Sequence, residues 1–122
     1  MNVLLGIDGS DGSFEALADT IERAEEAGDE VTIAIVDRDD IDLTSEEIET
    51  EVRERLAGTE IDPQIRHLSG HAGSRLVEFA EQEEFDRLVV AGGERSPLGK
   101  INFDETLEFV LLNAETTVTL VR

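Results

Sequence analysis

NVLLGIDGSDGSFEAL, residues 2–17, passes within sixteen positions from an unbroken apolar run through a glycine-rich turn into an amphipathic segment. The run from Asn2 to Asp8 does not alternate with polar residues, which suits a strand covered on both faces, as in parallel sheets. Val31–Asp37 (VTIAIVD) and Arg87–Gly93 (RLVVAGG) repeat that character. Ile61–Leu68 (IDPQIRHL) and Thr116–Arg122 (TTVTLVR) alternate, as strands nearer a sheet edge do. Between these runs apolar residues recur at helical spacing: Leu17, Ile21 and Ala24; Ile48, Val52 and Leu56; Ala72, Leu76, Phe79 and Ala80; Leu107, Val110 and Leu111. Ser13 and Thr44 are placed to cap helix starts, Thr44 with Glu47 fits a capping box, and Gly28 and Gly58 fit helix stops. Five strands separated by four helices, with right-handed crossovers, predict a doubly wound α/β fold in one domain, residues 1–122. Its ligand crevice is expected at the carboxyl ends of the strands, where strand order reverses.

Charge narrows the partners. Thirty acidic residues against ten basic ones give a net charge of −20, and the acids lie along every segment instead of in a tail. Such a surface repels nucleic acid and anionic lipid, so neither is expected as a partner. The ten basic residues are nine Arg and one Lys. An acidic coat nearly free of lysine resembles the proteins of extreme halophiles, and its self-repulsion is relieved only by salt. With no cysteine there is no disulfide framework and no thiolate metal site. The N-terminus lacks a basic flank and a long apolar run, so a cytoplasmic location is expected.

The crevice loops carry little recognisable catalytic chemistry. Gly6, Gly9 and Gly12 are spaced G-x-x-G-x-x-G, not as in a dinucleotide fingerprint, and Gly93 to Gly99 with Lys100-Ile101 fails the P-loop pattern. Asp8 and Asp37 each end a strand. A phosphoacceptor receiver domain would also need an Asp ending the third strand and a Lys ending the fifth, where Arg66-His67 and Arg122 stand. His67 and His71 straddle Gly70 at a turn without companions for a metal set, and His71 reads as an exposed turn residue. No serine occupies a nucleophile elbow. Neither a catalytic residue nor a metal ligand is assigned, and no enzyme activity is expected.

Several segments together resemble the universal stress protein (UspA-like) family: VLLGIDGSDGSFEAL, VTIAIVD, GHAGSRLVEFAEQEEFDRLVVAG and RSPLGKINFDETLEFVLLNAETTVTLVR, in matching order and spacing. The resemblance implies an adenine nucleotide alpha hydrolase-like sheet of five parallel strands in order 3-2-1-4-5. It also implies homodimerisation through the last strand, with Thr117, Val118, Thr119, Leu120 and Val121 at the interface. In the ATP-binding branch of the family, residues matching Asp8 and Val36 hold adenine. A G-x-x-G segment, followed after nine residues by Gly-Ser at a helix start, cradles ribose and phosphates, because glycines and a helix N-terminus present free N–H donors. The length of the closing segment aligns Ala91 and Glu94 with the two loop glycines, and Asp104 and Glu105 with Gly-Ser. Gly92, Gly93, Arg95, Ser96 and Lys100 remain to contact a nucleotide, while Glu94, Asp104 and Glu105 oppose phosphate. Asn102 or Asp104 is placed to cap the last helix.

The expected function is a binding or regulatory module with a degenerate nucleotide site. It requires no cofactor and acts on an unknown protein partner or small ligand. The alternative is an ATP/Mg-binding protein, with slow ATPase activity, in which Mg2+ bridges the acids to phosphate. A flavin module is disfavoured because the crevice loops hold no aromatic residue nearer than Phe14.

Overall fold

The computed structural model describes all residues except 38–40, 93, 96–100 and 103. In chain order the elements are β1 (Asn2–Ile7), α1 (Asp11–Ala27), β2 (Glu30–Val36), α2 (Ser45–Leu56), β3 (Gln64–Leu68), α3 (Ala72–Gln82), β4 (Arg87–Ala91), β5 (Glu94–Arg95), β6 (Ile101–Asn102), α4 (Glu105–Asn113) and β7 (Thr117–Val121). The main sheet has five strands in order β3-β2-β1-β4-β7, the 3-2-1-4-5 arrangement with β7 as fifth strand. Every pairing in it is parallel. β5 and β6, not expected from the sequence, pair antiparallel in a separate two-stranded ladder, Glu94 with Asn102 and Arg95 with Ile101.

Burial follows the apolar runs. Leu4, Leu5 and Ile7 of β1 and Ile33 and Ala34 of β2 are fully buried, because helices cover both faces of the centre of the sheet. One core lies under α1 and α2 around Val3, Leu5, Ile7, Leu17, Ile33, Ile48 and Val89. The other lies under α3 and α4 around Leu4, Ala34, Leu76, Leu88, Leu107 and Val110. The alternating segments form β3 and β7, the two edges, where half-burial needs only one apolar face.

Helix ends were mostly readable. Thr44 caps α2 in a reciprocal box with Glu47, Gly28 closes α1 in the left-handed conformation at φ 74°, and Gly58 follows α2 at φ 84°. The start of α1 differs from expectation. Ser10, not Ser13, is its cap, accepting from the Ser13 N–H at 3.2 Å. Asp8 sets this earlier start: its Oδ1 accepts from the Ser10 N–H and hydroxyl at 2.9 and 2.6 Å, which holds Ser10 extended before the first turn. Ser13 is instead buried, its hydroxyl donating back to the Ser10 carbonyl.

Candidate nucleotide cleft

β1 lies between β2 and β4, so the chain leaves it toward opposite sides and the carboxyl ends of these strands diverge there. A cleft at this point is lined by Gly6 and Asp8 from β1 and its loop, Ser13, Val36 at the end of β2, and Leu76 of α3. Val90 and Ala91 of β4 and Asp104, Thr106 and Leu107 at the start of α4 complete it. Asp8 and Val36, assigned from sequence to the adenine end, therefore meet Asp104, assigned to the phosphate end, in one cleft.

The enclosed space is about 20 Å³, room for about one water molecule. Two leucines account for much of the filling. A β-carbon at Gly6 would stand 3.1 Å from both methyls of Leu76, and one at Gly92 would stand 2.6 Å from Cδ2 of Leu107. Gly92 also adopts φ 156° and donates its N–H to the Val121 carbonyl at 3.0 Å. Its glycine is thus demanded by the approach of α4 to the end of β4, a packing reason that suffices without a ligand.

Asp104 is the cap of α4. Its Oδ1 accepts from the Leu107 N–H at 2.8 Å, so a carboxylate of the chain itself takes a backbone donor at the helix N-terminus. Glu105 is exposed and does not line the cleft, whereas Thr106 does. Thr106 was missed in the sequence. A one-residue shift against the family's Gly-Ser would have found it, placing a hydroxyl where the length alignment placed a carboxylate. Of the other expected residues, Gly93, Ser96 and Lys100 lie outside the described residues, and Glu94 and Arg95 enter only through their backbone pairing in the β5–β6 ladder.

The remaining candidates sit elsewhere. Phe14 is buried in the α1 side of the core with the Arg55 guanidinium 4.6 Å over its ring, outside the cleft. His71 is exposed and caps α3, its Nδ1 accepting from the Ser74 N–H at 3.0 Å. His67, on edge strand β3, contacts Glu49 of α2. That contact, with help from Arg53, lowers the Glu49 pKa from its ordinary 4.5. Among the described residues there is no group of three or more metal-ligating side chains.

A parallel five-stranded sheet in this order, with a cleft at the switch point carrying an aspartate after the first strand, defines the nucleotide-binding-like α/β class of stress proteins. The chain belongs to the universal stress protein family, whose model matches residues 1–122. No curated protein gives a significant sequence match. Among solved structures, a universal stress protein in complex with cAMP is 25% identical with TM-score 0.77, over 100% of this chain and 96% of that one. UspA from Lactobacillus plantarum is 19% identical with TM-score 0.78, over 100% and 97%. A universal stress protein from Archaeoglobus fulgidus in complex with dAMP is 18% identical with TM-score 0.66, over 100% and 98%. Among the described residues no helix is long and apolar enough to cross a membrane.

Proposed function

We propose that this chain is a non-enzymatic binding module whose cleft keeps the nucleoside end of an adenine nucleotide site and has weakened the phosphate end. The observation that carries this reading is Asp104, which lines the cleft while its carboxylate occupies the N-terminal donor of α4. A triphosphate entering there meets a negative charge where the helix dipole would otherwise attract it. Asp8 and Val36 stand across the same cleft, and the complexes of related proteins with cAMP and dAMP support adenine as the base. Leu76 and Leu107 fill the floor, so binding requires the cleft to open, which further lowers affinity. Titrating adenosine, AMP and ATP calorimetrically with Mg2+ chelated tests the reading. Affinity is expected to fall as phosphates are added, and a rise from adenosine to ATP contradicts it.

The second reading is an ATP/Mg protein, favoured by the same carboxylate, since a divalent ion between Asp104 and the phosphates would reverse the repulsion. A hundredfold gain in ATP affinity on adding Mg2+ supports it.

Homodimerisation through Thr117–Val121 is part of the proposal. β7 is hydrogen-bonded to β4 on one side and forms the sheet edge on the other, with half-buried Val118, Leu120 and Val121 available for a partner strand. Light scattering that returns a monomer at working concentration removes it. The cytoplasm of a salt-accumulating cell is the setting that the net charge of −20 favours.

A further inference from the structure

On the sheet face opposite α3 and α4, α1 leaves the β4–β7 edge partly uncovered. A cavity of about 160 Å³ lies there, lined by Val3, Val89, Thr119 and Val121 of the sheet, Asp19, Thr20 and Arg23 of α1, Asp29 and Arg87. Nothing in the nucleotide cleft uses these residues.

One of its polar groups is unsatisfied. The Nε of Arg87 is buried without a hydrogen-bond partner, and Arg87 forms no ion pair among the described residues. Thr20, 7% exposed, lines the same cavity. Buried donors are nearly always matched in folded proteins, so the buried Nε of half-buried Arg87, left open at the cavity, points to an acceptor that arrives from outside. Asp29 does not fill that role. Its carboxylate is taken by the N-terminal ammonium at 3.3 Å and Arg23 Nε at 3.2 Å. The lining sets two arginines, Arg23 and Arg87, against two aspartates, Asp19 and Asp29, so it is locally neutral on a chain of −20.

We propose that this cavity binds a small organic monocarboxylate, its carboxylate on Arg87 and Thr20 and its hydrocarbon body against Val3, Val89 and Val121. The apolar walls select against a bare inorganic anion, and the lining carboxylates of Asp19 and Asp29 penalise a dianion more than a monoanion. The volume is close to that of protein cavities that hold one benzene ring, about 150 Å³. This inference is independent of the nucleotide reading, because it concerns the other face of the sheet.

Benzoate is a suitable probe, with benzyl alcohol and inorganic phosphate as comparisons, using NMR shift mapping on the whole chain at constant ionic strength. Benzoate is expected to bind and shift the amides of Val3, Thr20, Val89 and Thr119, with benzyl alcohol and phosphate at least tenfold weaker. Arg87→Met should weaken benzoate about tenfold to a hundredfold, the range of one charge-assisted pair. If that variant fails to fold, Thr119→Leu, which fills the cavity without touching the charges, should abolish binding alone. Absence of benzoate binding, equal binding of benzyl alcohol or phosphate, shifts confined to Asp8, Val36 and Thr106, or unchanged affinity in a folded Arg87→Met or Thr119→Leu variant each overturns the assignment.

Discussion

Replacing Asp104 with Asn isolates the charge at the head of α4. Asparagine caps helices as well as aspartate does, so the acceptor that serves the Leu107 N–H is retained while the negative charge is lost. The lost charge–dipole attraction costs about 0.3–1 kcal/mol, a Tm decrease of a few degrees. Toward ATP the sign reverses. For a phosphate about 8 Å from the carboxylate, repulsion at an effective dielectric between about 20 and 80 is roughly 0.5–2 kcal/mol, so Asp104→Asn should tighten ATP about two- to thirtyfold at low salt. At 1 M KCl the Debye length is about 3 Å, and the variant and parent should converge. Equilibrium dialysis of radiolabelled ATP with Mg2+ chelated, at about 0.05 and 1 M KCl, reads both numbers. Equal affinities at low salt in a folded variant would refute the reasoning, and weaker binding would show the carboxylate to be a contact of the nucleotide.

Other perturbations test the framework. Gly92→Ala brings a β-carbon within 2.6 Å of buried Leu107 at φ 156°, and should cost about 2 kcal/mol or more in a denaturant titration. Ser10→Ala removes the cap of α1 and a donor to Asp8, and should cost about 0.5–2 kcal/mol by the same measurement. Glu49 has a folded pKa lowered below 4.5, chiefly by its hydrogen bond from His67. Its contribution is therefore complete above pH 4.5 and fades as pH falls through the lowered value, so the difference in Tm between parent and Glu49→Gln should shrink only in that acid window. With −20 net charge, the chain should lose helical circular dichroism on dialysis from molar KCl into about 0.01 M salt, where screening extends to about 30 Å.

The sheet was legible because both-face burial leaves a plain trace: β1, β2 and β4 are unbroken apolar runs, while β3 and β7 alternate and lie at the edges. Asp8 follows from its strand end as well as from the family resemblance, and Val36 from the resemblance alone; both line the cleft, whereas Asp37, which the strand-end rule also aimed there, is exposed and does not line it. The start of α1 was not legible. Asp11-Gly12 reads locally as a turn, yet the Asp8–Ser10 hydrogen bonds recruit both residues into the helix. Nor could spacing show that Leu76 and Leu107 fill the cleft, because their helical periodicity marks them as core without saying which glycine they face. Arg87 read as the polar beginning of a strand. That its Nε is buried at a cavity that Thr20 also lines depends on where α1 crosses β4, a contact between segments more than sixty residues apart.

The central claim, that the chain's own acid has displaced the phosphate end of an adenine nucleotide site, rests most directly on the parent protein's affinity for ATP without metal. Equilibrium dialysis at about 0.1 M KCl with Mg2+ chelated should give a Kd weaker than about 0.1 mM, above that of adenosine under the same conditions. A micromolar Kd for metal-free ATP would contradict it.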